Sequence, residues 1–94
     1  MDLNLQAPAG IAASAVSEGI NKIDFTVGDA PPEVVYEVWR RHGDTVDWYP
    51  HATTTNPSFE DSDVEPGQYY EYKIRAVHGE SASEFSESAV VYGK

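Results

Sequence analysis

The chain has no cysteine in its 94 residues. That excludes disulfide staples and thiolate catalysis, so a domain this short must hold together by packing alone. The redox compartment stays open. No stretch approaches the roughly 20 consecutive apolar residues of a membrane span. The first six residues, Met1 to Gln6, have neither the basic start nor the apolar stretch of a secretory signal. Three origins remain open on that point: a trimmed signal, a domain excised from a longer protein, or synthesis and use without Sec export. Basic side chains are scarce, six lysines and arginines against 16 aspartates and glutamates, for a net charge of −10. Such a surface repels phosphate backbones and anionic lipid headgroups, so neither nucleic acid nor membrane insertion is expected.

There is no helical period, internal repeat or low-complexity segment. What the chain has is alternation. From Val64 to Val77 a Pro66-Gly67 turn is followed by Tyr70, Tyr72, Ile74 and Ala76 on one parity, and by Glu71, Lys73, Arg75 and Val77 on the other. A period of two predicts a strand with one buried and one wet face. Further strands are expected over residues 11–16, a short alanine-rich edge, and over 20–27, with Ile23 and Phe25 inward. Residues 34–41 are expected as a strand with Tyr36 and Val38 inward, 46–52 as a shorter one holding Trp48 and Tyr49, and 89–92 as the last. Gly28 to Pro32 carries two prolines and is expected as a rigid loop. Turn signals every 8–12 residues or so fit a sandwich.

The run Val64, Pro66-Gly67, Tyr70, Tyr72, Ile74, Ala76 resembles the signature of fibronectin type III domains. Tyr36, Val38 and Arg40 are similar to that family's Tyr-x-Val-x-Arg, and Ser83 and Ser86 to the Ser-x-x-Ser before its last strand. Phe25 stands where the family usually has a core tryptophan, and Phe59 resembles its inward aromatic. The resemblance covers about Pro8 to Tyr92. It implies an all-β, immunoglobulin-like β-sandwich of about seven antiparallel strands. It also makes Tyr70 the residue whose hydroxyl bonds back to backbone near Asp63–Pro66. Pro66, Gly67, Phe25, Tyr36, Val38, Tyr72 and Ile74 become the structural residues. Residues 7–94 are expected as the domain and residues 1–6 as an arm or linker.

Chemistry is harder to find. No serine sits in a Gly-x-Ser-x-Gly elbow, and His42, His51 and His78 fall on separate loops or loop edges, expected to be solvent-exposed. Glu60, Asp61, Asp63 and Glu65 form the densest acidic run. Hard oxygen ligands of this kind could hold calcium, but the EF-hand spacing is missing and a solvated turn is expected. His42-Gly43-Asp44 lacks the arginine of an integrin-binding Arg-Gly-Asp. The chain is expected to be non-enzymatic, without cofactor or metal.

The candidate partner-binding residues are Trp39, Arg41, Lys73 and Arg75, which fall on one outer face if the strands at 34–41 and 69–77 are neighbours, and Leu3 and Leu5 on the N-terminal arm. Against binding stands a plain solvent face, its lysine and arginine stems covering Trp39. The expected role is a structural or adhesion module, a phage virion decoration or other surface-exposed protein, whose partner is a capsid, tail or neighbouring domain, or a glycan. The alternative is an accessory spacer or weak carbohydrate-binding domain of a secreted bacterial polysaccharide-degrading enzyme or of a cell-surface protein. Location on a virion or outside the cell follows from either.

Overall fold

The computed structural model describes residues 5–28, 33–43 and 47–94. Eight strands follow in order: β1 (Ala9–Ser17), β2 (Ile20–Thr26), β3 (Val35–His42), β4 (Tyr49–Thr54), β5 (Ser58–Asp61), β6 (Tyr69–His78), β7 (Ser81–Ala82) and β8 (Ala89–Tyr92). One sheet has the order β1-β2-β5. The other has the order β4-β3-β6-β7, with β8 also on β6. Every pairing is antiparallel.

The alternation in the sequence becomes the two faces of each sheet. Ile23 and Phe25 from β2 meet Tyr36 and Val38 from β3 and Tyr70, Tyr72, Ile74 and Ala76 from β6, all buried, with Val34 and Val64 closing the cluster. Each fully buried aliphatic or aromatic side chain contributes about 1.5–3 kcal/mol, so this inter-sheet layer dominates stability. Phe25 and Tyr36 pack edge to face at 5.4 Å, so phenylalanine serves where a tryptophan was the familiar choice. Phe59 packs against the core from β5, as expected.

The turn before β6 is tied down in three ways. The Glu65 amide donates to the Tyr70 hydroxyl at 2.7 Å, which is the expected backbone tether. Gly67 has φ of +77°, a conformation that the turn requires and that side chains resist. Gly67 also donates to the Gly93 carbonyl at 2.8 Å, and Gly93 donates to the Gln68 carbonyl at 2.9 Å. Gly93 passes so close to the turn that a Cβ there would collide with the Glu65 carbonyl and the Val64 side chain.

Three expectations change. The first strand is not a short edge; β1 runs nine residues. Register shifts between Ala9 and Ala12 and between Ala15 and Ser17 interrupt its pairing with β2, and such bulges let an edge strand twist away from unwanted pairing. The segment after β6, expected as a loop, carries a two-residue strand, β7, while the last strand, β8, falls at the expected Ala89–Tyr92. Finally, residues 1–6 do not all stand apart: Leu5 packs against the core and is part of the fold. Leu3 lies outside the described residues, as do part of the proline loop and residues 44–46.

Candidate interaction surface

At one end of the sandwich the core is polar. Arg40 continues the inward parity of Tyr36 and Val38 and is buried. Its Nη1 donates to Asp61 Oδ2 at 2.7 Å and to the Asp63 carbonyl at 2.8 Å, and its Nε donates to the Tyr49 hydroxyl at 2.6 Å. Asp61, only 1% exposed, also accepts from the Tyr72 hydroxyl at 2.6 Å and the Asp63 amide at 3.1 Å, and meets His51 Nε2 at 2.9 Å. Asn21 Nδ2 donates to the Tyr72 hydroxyl at 3.1 Å. Burial pushes the Asp61 carboxyl up, but His51, Tyr72, the Asp63 amide and Arg40 outweigh it and hold the group well below the usual carboxylate range. Burial and Asp61 together raise the Tyr72 hydroxyl.

This network corrects two expectations. Asp61 does not belong to a solvated turn, because β5 points it inward beside Phe59. His51 is not a loop histidine either: it lies on β4, half-buried, against Asp61 and Phe59. Parity alone carried the signal, since Asn21 shares a face with Ile23, Arg40 with Val38, and Asp61 with Phe59. With four partners around it, the Asp61 carboxylate has no free edge for a cation. Among the described residues no group of three or more His, Cys, Asp or Glu could hold a metal.

The outer face of the larger sheet gathers the candidate binding residues. Trp39 pairs with Lys73 across β3 and β6, Glu37 with Arg75, and Arg41 with Glu71. Rings and cations then alternate across the face. Arg41 and Lys73 lie over Trp48 at 4.7 and 4.5 Å. Lys73 and Arg75 lie over Phe85 at 4.1 and 5.1 Å, and Arg75 over Trp39 at 5.4 Å. Trp39 and Phe85 also meet edge to face at 5.4 Å. Glu37 Oε1 accepts from the Trp39 indole at 3.0 Å and from Arg75 Nε at 2.6 Å. Glu71 Oε1 accepts from Arg41 Nε at 2.7 Å and Tyr69 at 3.1 Å, and its Oε2 from Ser88 at 2.6 Å. Burial raises both carboxyls, but these donors hold them below the usual range. Burial and the flanking Arg41 and Arg75 lower the Lys73 ammonium.

Trp39, Arg41, Lys73 and Arg75 therefore converge, whereas Leu5 is on the core side. Trp48 and Phe85 were not expected at the centre. Phe85 reaches it because Ser83 and Ser86 hold its segment flat on β6. Ser83 donates its amide to the Ala76 carbonyl at 2.8 Å and accepts the Ala76 amide on its hydroxyl at 2.9 Å. Ser86 does the same with Ile74, at 2.8 and 3.0 Å. Hydroxyls thus replace backbone carbonyls along this stretch, which is why it lies along β6 between β7 and β8 without being regular strand.

Two open clefts are also present, the second of them bordering the outer face at Phe85. One of about 240 Å³ is lined by Arg40, His42, Asp63, Glu65, Gln68 and Tyr70, and its buried cation is already taken by Asp61 and Asp63. The other, of about 500 Å³, runs between Ala7–Gly10 and Phe85–Glu87. No helix among the described residues is long and apolar enough to cross a membrane.

No protein-family model and no curated protein matches the sequence. Solved structures do match. A three-domain stretch of titin, A168–A170, superposes with a TM-score of 0.82 at 14% identity, over 97% of this chain and 33% of that one. The Fn3-like protein from Clostridium thermocellum gives 0.76 at 22% identity, over 98% and 96% of the two chains. Domains FN1–FN3 of chicken CNTN1 give 0.78 at 21%, over 96% and 34%. The chain thus spans about a third of the titin stretch and nearly all of the clostridial protein. Its fold is that of a fibronectin type III domain, an immunoglobulin-like sandwich.

Proposed function

We propose that this domain is a non-catalytic structural and adhesion module that attaches to a protein partner through the outer face of its larger sheet. One observation carries the reading. Both tryptophans and three of the six basic residues are gathered on that face, on a chain whose net charge is −10. Tryptophan and arginine are enriched at binding hot spots, where area and charge act together. A protein suits this face better than a glycan. The ring faces of Trp39, Trp48 and Phe85 are occupied by the domain's own cations, so they do not offer a bare stacking platform for sugar rings. The setting we propose is an exposed assembly, a phage virion decorated by the domain, whose acidic remainder favours solubility. The alternative setting is beside the catalytic domain of a secreted bacterial polysaccharide-degrading enzyme.

A tagged copy, expressed in the source organism, tests this. It should fractionate with phage particles in the first setting and with the secreted enzyme in the second. Lys73→Glu with Arg75→Glu should release it from either without unfolding it. If the charge-reversed protein stays attached, the outer face is not the contact surface.

A further inference from the structure

We propose that the outer face recognises an extended acidic peptide, with two carboxylates on alternate residues received by Lys73 and Arg75. The inference rests on the interaction-module reading above and names the chemistry of its partner.

The argument starts from which donors are spent. Arg41 gives its Nε and Nη2 to Glu71, and Arg75 gives its Nε to Glu37. Among the described residues Lys73 has no carboxylate partner, and neither terminal nitrogen of Arg75 has a hydrogen bond. Lys73 is held instead between Trp48 and Phe85, with Arg75 beside it over the same Phe85 ring. Aromatic faces restrain the cations without pairing them to a carboxylate, which lowers the entropy lost when an anion arrives.

Charge follows the same pattern. Among the described residues, the β3 and β6 positions of this face hold three cations, Arg41, Lys73 and Arg75, and two carboxylates, Glu37 and Glu71, on a chain whose net charge is −10. At physiological salt charges beyond about 8 Å are largely screened, so an approaching carboxylate responds to this face more than to the distant acids.

Spacing decides what carries the carboxylates. Lys73 and Arg75 are two residues apart on β6, with side chains on the same face, so their stems rise about 6.6 Å apart. The alternate side chains of any extended peptide repeat at the same distance. A strand bearing Glu-x-Glu therefore presents one carboxylate to each cation. The surface is a sheet face, which suits a strand-like segment lying along it; the cleft lined by Arg40 and Asp63 does not include Lys73, and the cleft beside Phe85 is lined by Glu87 and by no cation.

The test uses the whole domain and a synthetic peptide, Thr-Glu-Thr-Glu-Thr-Glu-Thr with a fluorophore at one end, read by anisotropy at about 50 mM salt. The same peptide with glutamine for glutamate is one control, and polygalacturonate, an acidic polysaccharide, is the other. The glutamate peptide should bind and the glutamine peptide should bind at least about tenfold more weakly, as should the glutamate peptide to Lys73→Gln or Arg75→Gln, since each removes a charge-assisted contact. Circular dichroism checks that both variants stay folded. Lys22→Gln, on the opposite sheet, should leave affinity unchanged. Equal binding of the two peptides, or variants that bind like wild type, overturns the proposal even if the outer face proves to be the contact surface. So does polygalacturonate binding in place of the peptide.

Discussion

Tyr70 and Asp61 show how differently two buried polar residues act. The Tyr70 hydroxyl accepts one amide, from Glu65. Tyr70→Phe should cost about 0.5–1.5 kcal/mol and leave binding unchanged, since the ring stays and one hydrogen bond goes. Tyr70→Ala should cost about 3–5 kcal/mol by emptying an aromatic core site. Denaturant midpoints measure both, and a Tyr70→Phe midpoint equal to wild type contradicts the tether. Asp61 is a hub instead. Asp61→Ala strands Arg40 in the interior without its main counter-charge, and breaking a buried pair in this way costs about 3–5 kcal/mol. Tyr70, Pro66 and Gly67 were legible because a turn signal and a strict alternation adjoin there. Asp61 was not, because it sits in a run of acids that reads as a wet turn, and only its parity with Phe59 says otherwise. Arg40 was legible as a match but not as a buried charge. Gly93 carried no local signal, since its need to be glycine comes from a turn some 26 residues earlier in the chain.

Among the elements, β6 specifies most. It pairs with β3, β7 and β8, and its two parities separate the core from the outer face. Strands β1, β2, β3, β6 and β8 were legible in the sequence and β4 in part, while β5 and β7 were not, and the Ser83–Ser86 segment reads as loop until its hydroxyls are seen to satisfy β6. That role has a consequence. Ser83→Ala and Ser86→Ala each leave one β6 amide, of Ala76 or of Ile74, without its acceptor. Each should cost about 1 kcal/mol, and amide hydrogen exchange should speed up at Ala76 in the first variant and at Ile74 in the second. Exchange at both sites matching wild type would show that the Ser-x-x-Ser segment does not hold the edge. The same substitutions should loosen Phe85 and with it the cation–ring ladder, so element and surface are coupled here.

For the whole molecule, acid is the informative stress. The folded carboxyls of Asp61, Glu37 and Glu71 are all held below their ordinary values. As pH falls the unfolded chain therefore takes up protons first. Their stabilisation is full above the unfolded pKa of about 4 and is lost as pH drops through that value towards the folded ones. Relief of repulsion among exposed acids works the other way, but exposed pairs are worth only about 0–1 kcal/mol. The urea midpoint should thus be level from about pH 7 to 5 and fall steeply below about pH 4, and Asp61→Asn should flatten that fall. A midpoint that rises through the acid range contradicts the network. The make-up of the outer face was legible in part. Trp39, Arg41, Lys73 and Arg75 follow from pairing two alternating strands, whereas Trp48 and Phe85 arrive from segments with no alternation to place them. Those placements supply a direct test of the central claim, that the outer face of the larger sheet is where this domain binds. Both tryptophans of the chain, Trp39 and Trp48, lie on that face and none lies in the core. Acrylamide quenching of tryptophan emission, with and without the partner assembly at saturation, therefore reads the face itself. The account predicts that bound partner protects both tryptophans and reduces quenching. Partner bound, as judged by co-sedimentation, with quenching unchanged would place the contact somewhere else on the domain.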